Sequence, residues 1–91
     1  MELYQRVALN QDFPEYHLKQ GDIATLIDTI PHPHQGEDGY ILEVFNALGE
    51  SIDTVIVPKS AVSSLKANEI LSVRSFVTVN SSSIYDGETK I

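Results

Sequence analysis

The chain has no cysteine and no tryptophan, and its single methionine is the first residue. Without thiols there is no disulfide framework, no thiolate metal site and no cysteine nucleophile, and nothing argues for an oxidising compartment. Basic residues are scarce: six lysines and arginines stand against thirteen acids, a net charge of −7. Those six, Arg6, Lys19, Lys59, Lys66, Arg74 and Lys90, are scattered along the chain, so no basic stripe offsets repulsion from phosphate backbones or anionic membrane surfaces. Nucleic acid and membrane are therefore not the expected partners, and a protein with a basic surface is. Long apolar runs are missing too, none exceeding three residues, as at Val55-Ile56-Val57. The start Met-Glu-Leu-Tyr-Gln-Arg-Val has neither the basic opening nor the apolar stretch of a secretion signal, so the expectation is a cytoplasmic protein.

What is present suits one small domain. Hydrophobic residues make up 42% of 91 residues, and a chain of this size buries somewhat over ~60% of the surface its unfolded form exposes, enough for a thin core. Short β-rich segments separated by turn signals recur, the pattern of a small barrel or sandwich rather than a helical bundle. Leu3, Gln5, Val7 and Leu9 begin the first. The stretch from Asn10 to Gly21 reads as a long excursion, with Pro14 inside it and Lys19-Gln20-Gly21-Asp22 at its end. Gly21 can take the positive φ that other residues resist, and the Asp22 side chain can accept from nearby backbone. The strand launched there alternates β-branched Ile23, Thr25, Ile27 and Thr29 against Ala24 and Leu26, with its first half turned inward on one side. Residues 31–39, with two prolines and two glycines, form a loop. Tyr40 to Phe45 is the next strand, Asn46 to Glu50 a hairpin return, and Ser51 to Val57 the returning strand. After Pro58, Lys59 to Leu65 suits a single helical or 3₁₀ turn, with Ser60 as its cap and Val62 and Leu65 facing the core. A last strand is expected around Ile70 to Arg74, running on toward Val79.

Candidates for chemistry are few. His32 and His34, with Glu37 and Asp38 close by, are the residue types that ligate zinc, but they lack the fixed paired spacing of a zinc site, and a solvated loop explains them. Serines at 60, 63, 64 and 81–83 have no glycine-flanked elbow and no histidine tied to them. The glycines form neither common phosphate-cradling loop. No enzyme activity and no cofactor are expected. A peptide groove of aromatics could draw on Tyr4, Phe13, Tyr16 and Tyr40, but tryptophan, the usual central platform, is absent. The acids lie in loops and at outward strand positions, so a docking face would combine them with apolar anchors. On that reasoning the candidate partner-binding residues are Phe13, Glu15, Tyr16, Glu43 and Phe45.

The order of short strand, turn-rich excursion, Leu18-Lys19-Gln20-Gly21-Asp22 turn, strand, two hairpin strands, helical turn after a proline and last strand resembles an SH3-like barrel. More specifically, Tyr4-Gln5-Arg6-Val7-Ala8-Leu9, Phe13-Pro14-Glu15, the Leu18 to Leu26 stretch, Gly39 to Ala47, and Val57-Pro58 with Ser60-Ala61 resemble the bacterial, largely cyanobacterial, family called domain of unknown function 4926. The resemblance covers about residues 3 to 74. Its members resemble small stand-alone proteins often encoded beside another short reading frame, which implies an antitoxin-like or immunity-like role. The expectation is thus a mainly β, SH3-like five-stranded barrel with one short helical turn over residues 1–76, serving as a non-enzymatic protein–protein interaction module. Residues 77–91 form a C-terminal extension, a tail or an added or swapped edge strand through which a homo-oligomer would form. The alternatives of other classes are an accessory subunit of a larger cytoplasmic complex and a weak metal- or ligand-binding module on His32 and His34.

Overall fold

Five antiparallel strands make one sheet in the computed structural model, which describes residues 1–32 and 36–76. They are β1 (Arg6–Leu9), β2 (Ile23–Ile30), β3 (Gly39–Phe45), β4 (Ser51–Pro58) and β5 (Val62–Ser64), in the spatial order β4-β3-β2-β1-β5. Two 3₁₀ turns, Pro14–Tyr16 and Lys59–Ala61, are the only helical elements among the described residues.

Alternation assigns the faces. Val7 and Leu9 of β1, Ala24 and Leu26 of β2, Leu42 and Val44 of β3, and Val55 and Val57 of β4 are buried together, and Phe13, Leu18, Ala61 and Val62 complete the core. In β2 it is the Ala24 and Leu26 side that turns inward, while Ile23 and Ile27 stay half-buried. A register shift between Leu26 and Asp28 leaves Ile27 without a partner on β3, so beyond it Asp28 rather than Ile27 stands opposite Ile41. A bulge of this kind bends the strand and sharpens its twist.

Both tight turns match the residues that build them. Gly21 has φ +93°, the Lys19 N–H donates to Asp22 Oδ2 at 2.7 Å, and the Asp22 N–H donates to the Lys19 carbonyl at 3.0 Å. In the β3–β4 hairpin Asn46 Oδ1 accepts from the N–H groups of both Leu48 and Glu50, at 2.9 Å each, and Gly49 sits at φ +85°. The Asx side chain satisfies two orphan donors and closes this turn together with the Asn46 N–H bond to the Glu50 carbonyl at 2.8 Å.

Three expectations need correction. The last strand is Val62–Ser64, and residues 70–76 are irregular. The chain leaves the Lys59–Ala61 turn directly into extended backbone, Val62 at φ −125° and ψ 153°, and pairs Leu9 with Val62 and Val7 with Ser64. The free edge of β1 thus captures the first extended residues that reach it. Val62 is therefore a core strand residue rather than part of a helical turn reaching Leu65. Nor is Ser60 the cap: Pro58 holds that position, and the Ser60 N–H and hydroxyl both donate to the Glu37 carboxylate, at 2.6 and 3.0 Å. Finally, the sheet is open, since no ladder joins β4 to β5 among the described residues.

Side chains bridge part of what the ladder leaves open. The excursion folds inward, with Phe13 and Leu18 exchanging backbone hydrogen bonds at 2.9 and 3.1 Å and both buried. Tyr16, half-buried beside Phe13, donates its hydroxyl to the Ile56 carbonyl of β4 at 3.2 Å. Asn10, at the other root of the excursion, donates through Nδ2 to the Ser60 carbonyl at 2.9 Å. The expected strand beyond Phe76 lies outside the described residues.

Candidate interaction surface

The expected partner-binding residues fall into two groups. Phe13 is only 6% exposed and its ring belongs to the core, while Glu15 on the first 3₁₀ turn is exposed and Tyr16 is tied to β4. Glu43 and Phe45 alternate with buried Leu42 and Val44, so they point to the opposite, outer face of the sheet. The structure does not bring Phe13 and Glu43 onto one surface.

The outer face of β2, β3 and β4 is built of cross-strand rows. Asp28, Ile41 and Ile56 stand opposite one another, and the next row along is Thr25, Glu43 and Thr54. Phe45 continues the outer side of β3. Ile56 is 51% exposed, Ile52 and Phe45 about two-fifths. The Glu43 and Asp28 carboxylates take part in no ion pair among the described residues. Exposed aliphatic side chains thus share this face with carboxylates that form no ion pair among the described residues. Ile52 and Ile56 were not singled out from the sequence; their signal was the outward half of the β4 alternation.

A groove of about 560 Å³ opens next to these rows. Pairing of β2 with β3 stops at Thr25 opposite Glu43, although β2 begins at Ile23 and β3 runs on to Phe45. The two strands splay there. Ile23, Phe45 and Ile52 line the groove from the sheet, and Leu71, Val73 and Phe76 line it from the segment that follows β5. That segment is redirected by a turn in which the Lys66 N–H donates to Glu69 Oε1 at 2.6 Å and the Glu69 N–H to the Lys66 carbonyl at 3.1 Å.

Arg74 fastens the segment. Its Nε donates to Asp22 Oδ1 at 2.8 Å, its Nη2 to Asp22 Oδ2 at 2.5 Å and to the His17 carbonyl at 3.0 Å. This is the bidentate fork that makes Arg–carboxylate pairs both directional and strong. The Phe76 ring meets His17 edge-on, centroids 6.4 Å apart. Partial burial pushes the Asp22 carboxyl up, but the Arg74 hydrogen bonds, the Lys19 N–H and the charges of Arg74 and Lys19 together outweigh it, holding the group below its ordinary value. The same hydrogen bonding raises Arg74 against a smaller opposing effect of burial. Neither member of the pair was legible as a partner of the other, because 52 residues separate them.

The metal candidates are placed only in part. His32 donates its backbone N–H to Asp38 Oδ1 at 3.3 Å, Asp38 lies 3.9 Å from Lys59 Nζ, and Glu37 is engaged by Ser60. His34 lies outside the described residues. Among the described residues no three His, Cys, Asp or Glu side chains converge, and no helix is long and apolar enough to cross a membrane.

A family model described as "Domain of unknown function (DUF4926)" matches residues 3–64. No curated protein and no solved structure matches the chain.

Proposed function

The chain belongs to the family described as domain of unknown function DUF4926, and for this member we propose a non-enzymatic protein–protein interaction module that docks a basic surface of a small cognate partner. The observation that carries the reading is the outer face of β2, β3 and β4, where exposed Ile56, Ile52 and Phe45 lie among Glu43 and Asp28, whose carboxylates form no ion pair among the described residues. Apolar anchors of this kind supply binding energy, and the surrounding charge steers encounter. A net charge of −7 extends that steering over the whole molecule. The role is antitoxin-like or immunity-like: the module covers the basic working surface of its partner and acts in the cytoplasm, without nucleic acid, membrane or cofactor. The strand order β4-β3-β2-β1-β5, with a long folded excursion between β1 and β2, supports reading the open sheet as a member of the SH3-like barrels, with the excursion standing in for the missing closure.

The test is co-expression with the product of the reading frame next to its gene. A stable complex that survives gel filtration and is lost on Glu43→Lys with Ile56→Asp supports the reading. Elution of the two proteins apart, both folded, refutes it. Migration of this chain in lysate at far higher mass would favour the second reading, an accessory subunit of a larger assembly.

A further inference from the structure

The open sheet leaves two strands with an unpaired side among the described residues. β4 is the outermost strand of the order β4-β3-β2-β1-β5. β2 loses its neighbour on the β1 side after Leu26, the last residue to exchange backbone hydrogen bonds with Tyr4 and Gln5. The same three residue types recur on both of these strands, as Ile27-Asp28-Thr29 in β2 and Ile52-Asp53-Thr54 in β4. Aspartate is a poor strand residue, because its short side chain bonds nearby backbone and competes with the ladder. Its presence inside both eight-residue strands therefore needs a cause. That cause is local and the same in each: Asp28 Oδ1 accepts from the Thr29 N–H at 2.8 Å, and Asp53 Oδ1 from the Thr54 N–H at 2.8 Å.

Those two N–H groups lie on the unpaired sides. Ile56 turns its carbonyl away from β3, where it accepts from the Tyr16 hydroxyl at 3.2 Å, and successive residues of an antiparallel strand turn their backbone groups to opposite sides. Thr54, two residues back, thus also presents its backbone to the free edge of β4. By the same alternation Ile41, directly opposite Ile56, exchanges its bonds with Asp28 on its other side. Thr29, one residue further, is turned away from β3 toward the side that β1 has left.

An unpaired edge is a template for a strand from another chain. We propose that the two Ile-Asp-Thr segments, together with Tyr16 on Ile56, are edge guards: they occupy outward backbone groups and so stop a second copy of this chain from adding its β4 to the sheet. The strand to be excluded is β4 itself, since Ile52, Thr54 and Ile56 alternate along it, uncharged, β-branched and exposed, which is the composition that extends sheets. The opposite outer strand, β5, has only three residues, and such brevity limits pairing by itself. The inference does not depend on the partner proposed above, because the guards close the backbone edge and leave the outer side chains uncovered.

The test is sedimentation velocity on the full chain over a concentration series reaching about 1 mM, so that weak self-association registers. The unsubstituted chain is expected at the mass of one chain. Tyr16→Phe with Asp53→Ala is expected to self-associate at least about tenfold more tightly, with the Thr54 amide gaining protection from hydrogen exchange as the dimer forms. Tyr16→Phe with Asp53→Asn keeps an Oδ1 acceptor but removes the charge, and is expected to associate no more tightly than Tyr16→Phe alone. A dispersed amide spectrum establishes which variants are folded. For folded chains, three results overturn the proposal: an alanine variant that stays monomeric, equal association of the alanine and asparagine variants, or an unsubstituted chain already paired through β4. The unsubstituted chain also answers without any variant. Its Thr29 and Thr54 amides are expected to exchange at least about tenfold more slowly than in an unstructured peptide, and unstructured rates at both overturn the proposal as well.

Discussion

Replacing Gly39 by alanine tests how tightly the first residues of β3 are held. A glycine inside a strand ordinarily weakens it, and Gly→Ala at a compatible position stabilises by about 0.4–1 kcal/mol through the unfolded chain. At Gly39 the opposite sign is expected. A Cβ there would stand 3.2 Å from Ile30 Cγ2, 3.3 Å from Ile56 Cγ2 and 3.2 Å from the Val57 carbonyl oxygen. The first two belong to β-branched side chains with little rotamer freedom. The third is backbone, fixed because Tyr40 pairs with Val57 and Gly39 with Pro58. The two isoleucine side chains are exposed and can shift, but the Val57 carbonyl cannot give by a few tenths of an ångström without moving β4, and forced overpacking costs about 1–3 kcal/mol. After subtracting the unfolded-chain gain, Gly39→Ala should destabilise by about 1–2 kcal/mol. For a domain of this size that is a fall in Tm of about 4–16 °C. Paired thermal and urea melts of the two chains measure it. An unchanged or higher Tm would refute the claim that β2, β3 and β4 converge rigidly on this residue.

Other substitutions address the remaining links. Tyr16→Phe keeps the ring beside Phe13 but removes the donor to the Ile56 carbonyl, and should lower stability by about 0.5–1.5 kcal/mol in urea melts. Glu37→Ala strips the Ser60 N–H and hydroxyl of their acceptor, with an expected loss of about 1 kcal/mol; hydrogen exchange at the Ser60 amide should quicken as well. Because the folded protein holds the Asp22 carboxyl below its ordinary value, the contribution of its pair with Arg74 is complete above the usual carboxylate range and is lost as pH falls through the depressed value. Asp22→Asn should remove that part of the acid sensitivity and cost at most about 1 kcal/mol at neutral pH, since solvent screens a partly exposed pair. Stability measured from pH 7 down to pH 2 shows whether the two chains converge.

Local features of the fold were legible where one residue type answers one backbone demand. Gly21 with Asp22, and Asn46 with Gly49, form the turns that their chemistry indicates, and the period-two pattern placed β2, β3 and β4 within a residue or two. β5 was not legible because Val62-Ser63-Ser64 is too short to show a period, and only the open edge of β1 makes it a strand. The bulge at Ile27 was hidden for a related reason: nothing local separates an unpaired β-branched residue from a paired one. On the site, Glu43 and Phe45 were found through alternation and do lie on the outer face. Phe13 was named for its ring, but the inward fold of the excursion takes that ring into the core. The Arg74–Asp22 fork depends on the path of the whole chain after β5, which no spacing records.

Docking by charge and exposed aliphatics at the outer face of β2, β3 and β4 is the claim on which the proposed function depends. Its most direct test is the affinity of this chain for the neighbouring gene product across a salt series, with Glu43→Lys measured beside the native sequence. The expected result is an association that weakens steeply between about 50 and 500 mM salt, as steered encounters do, and a charge-reversed chain that binds at least about tenfold more weakly, equivalent to about 1.4 kcal/mol. An affinity indifferent both to salt and to the sign of residue 43 would contradict it.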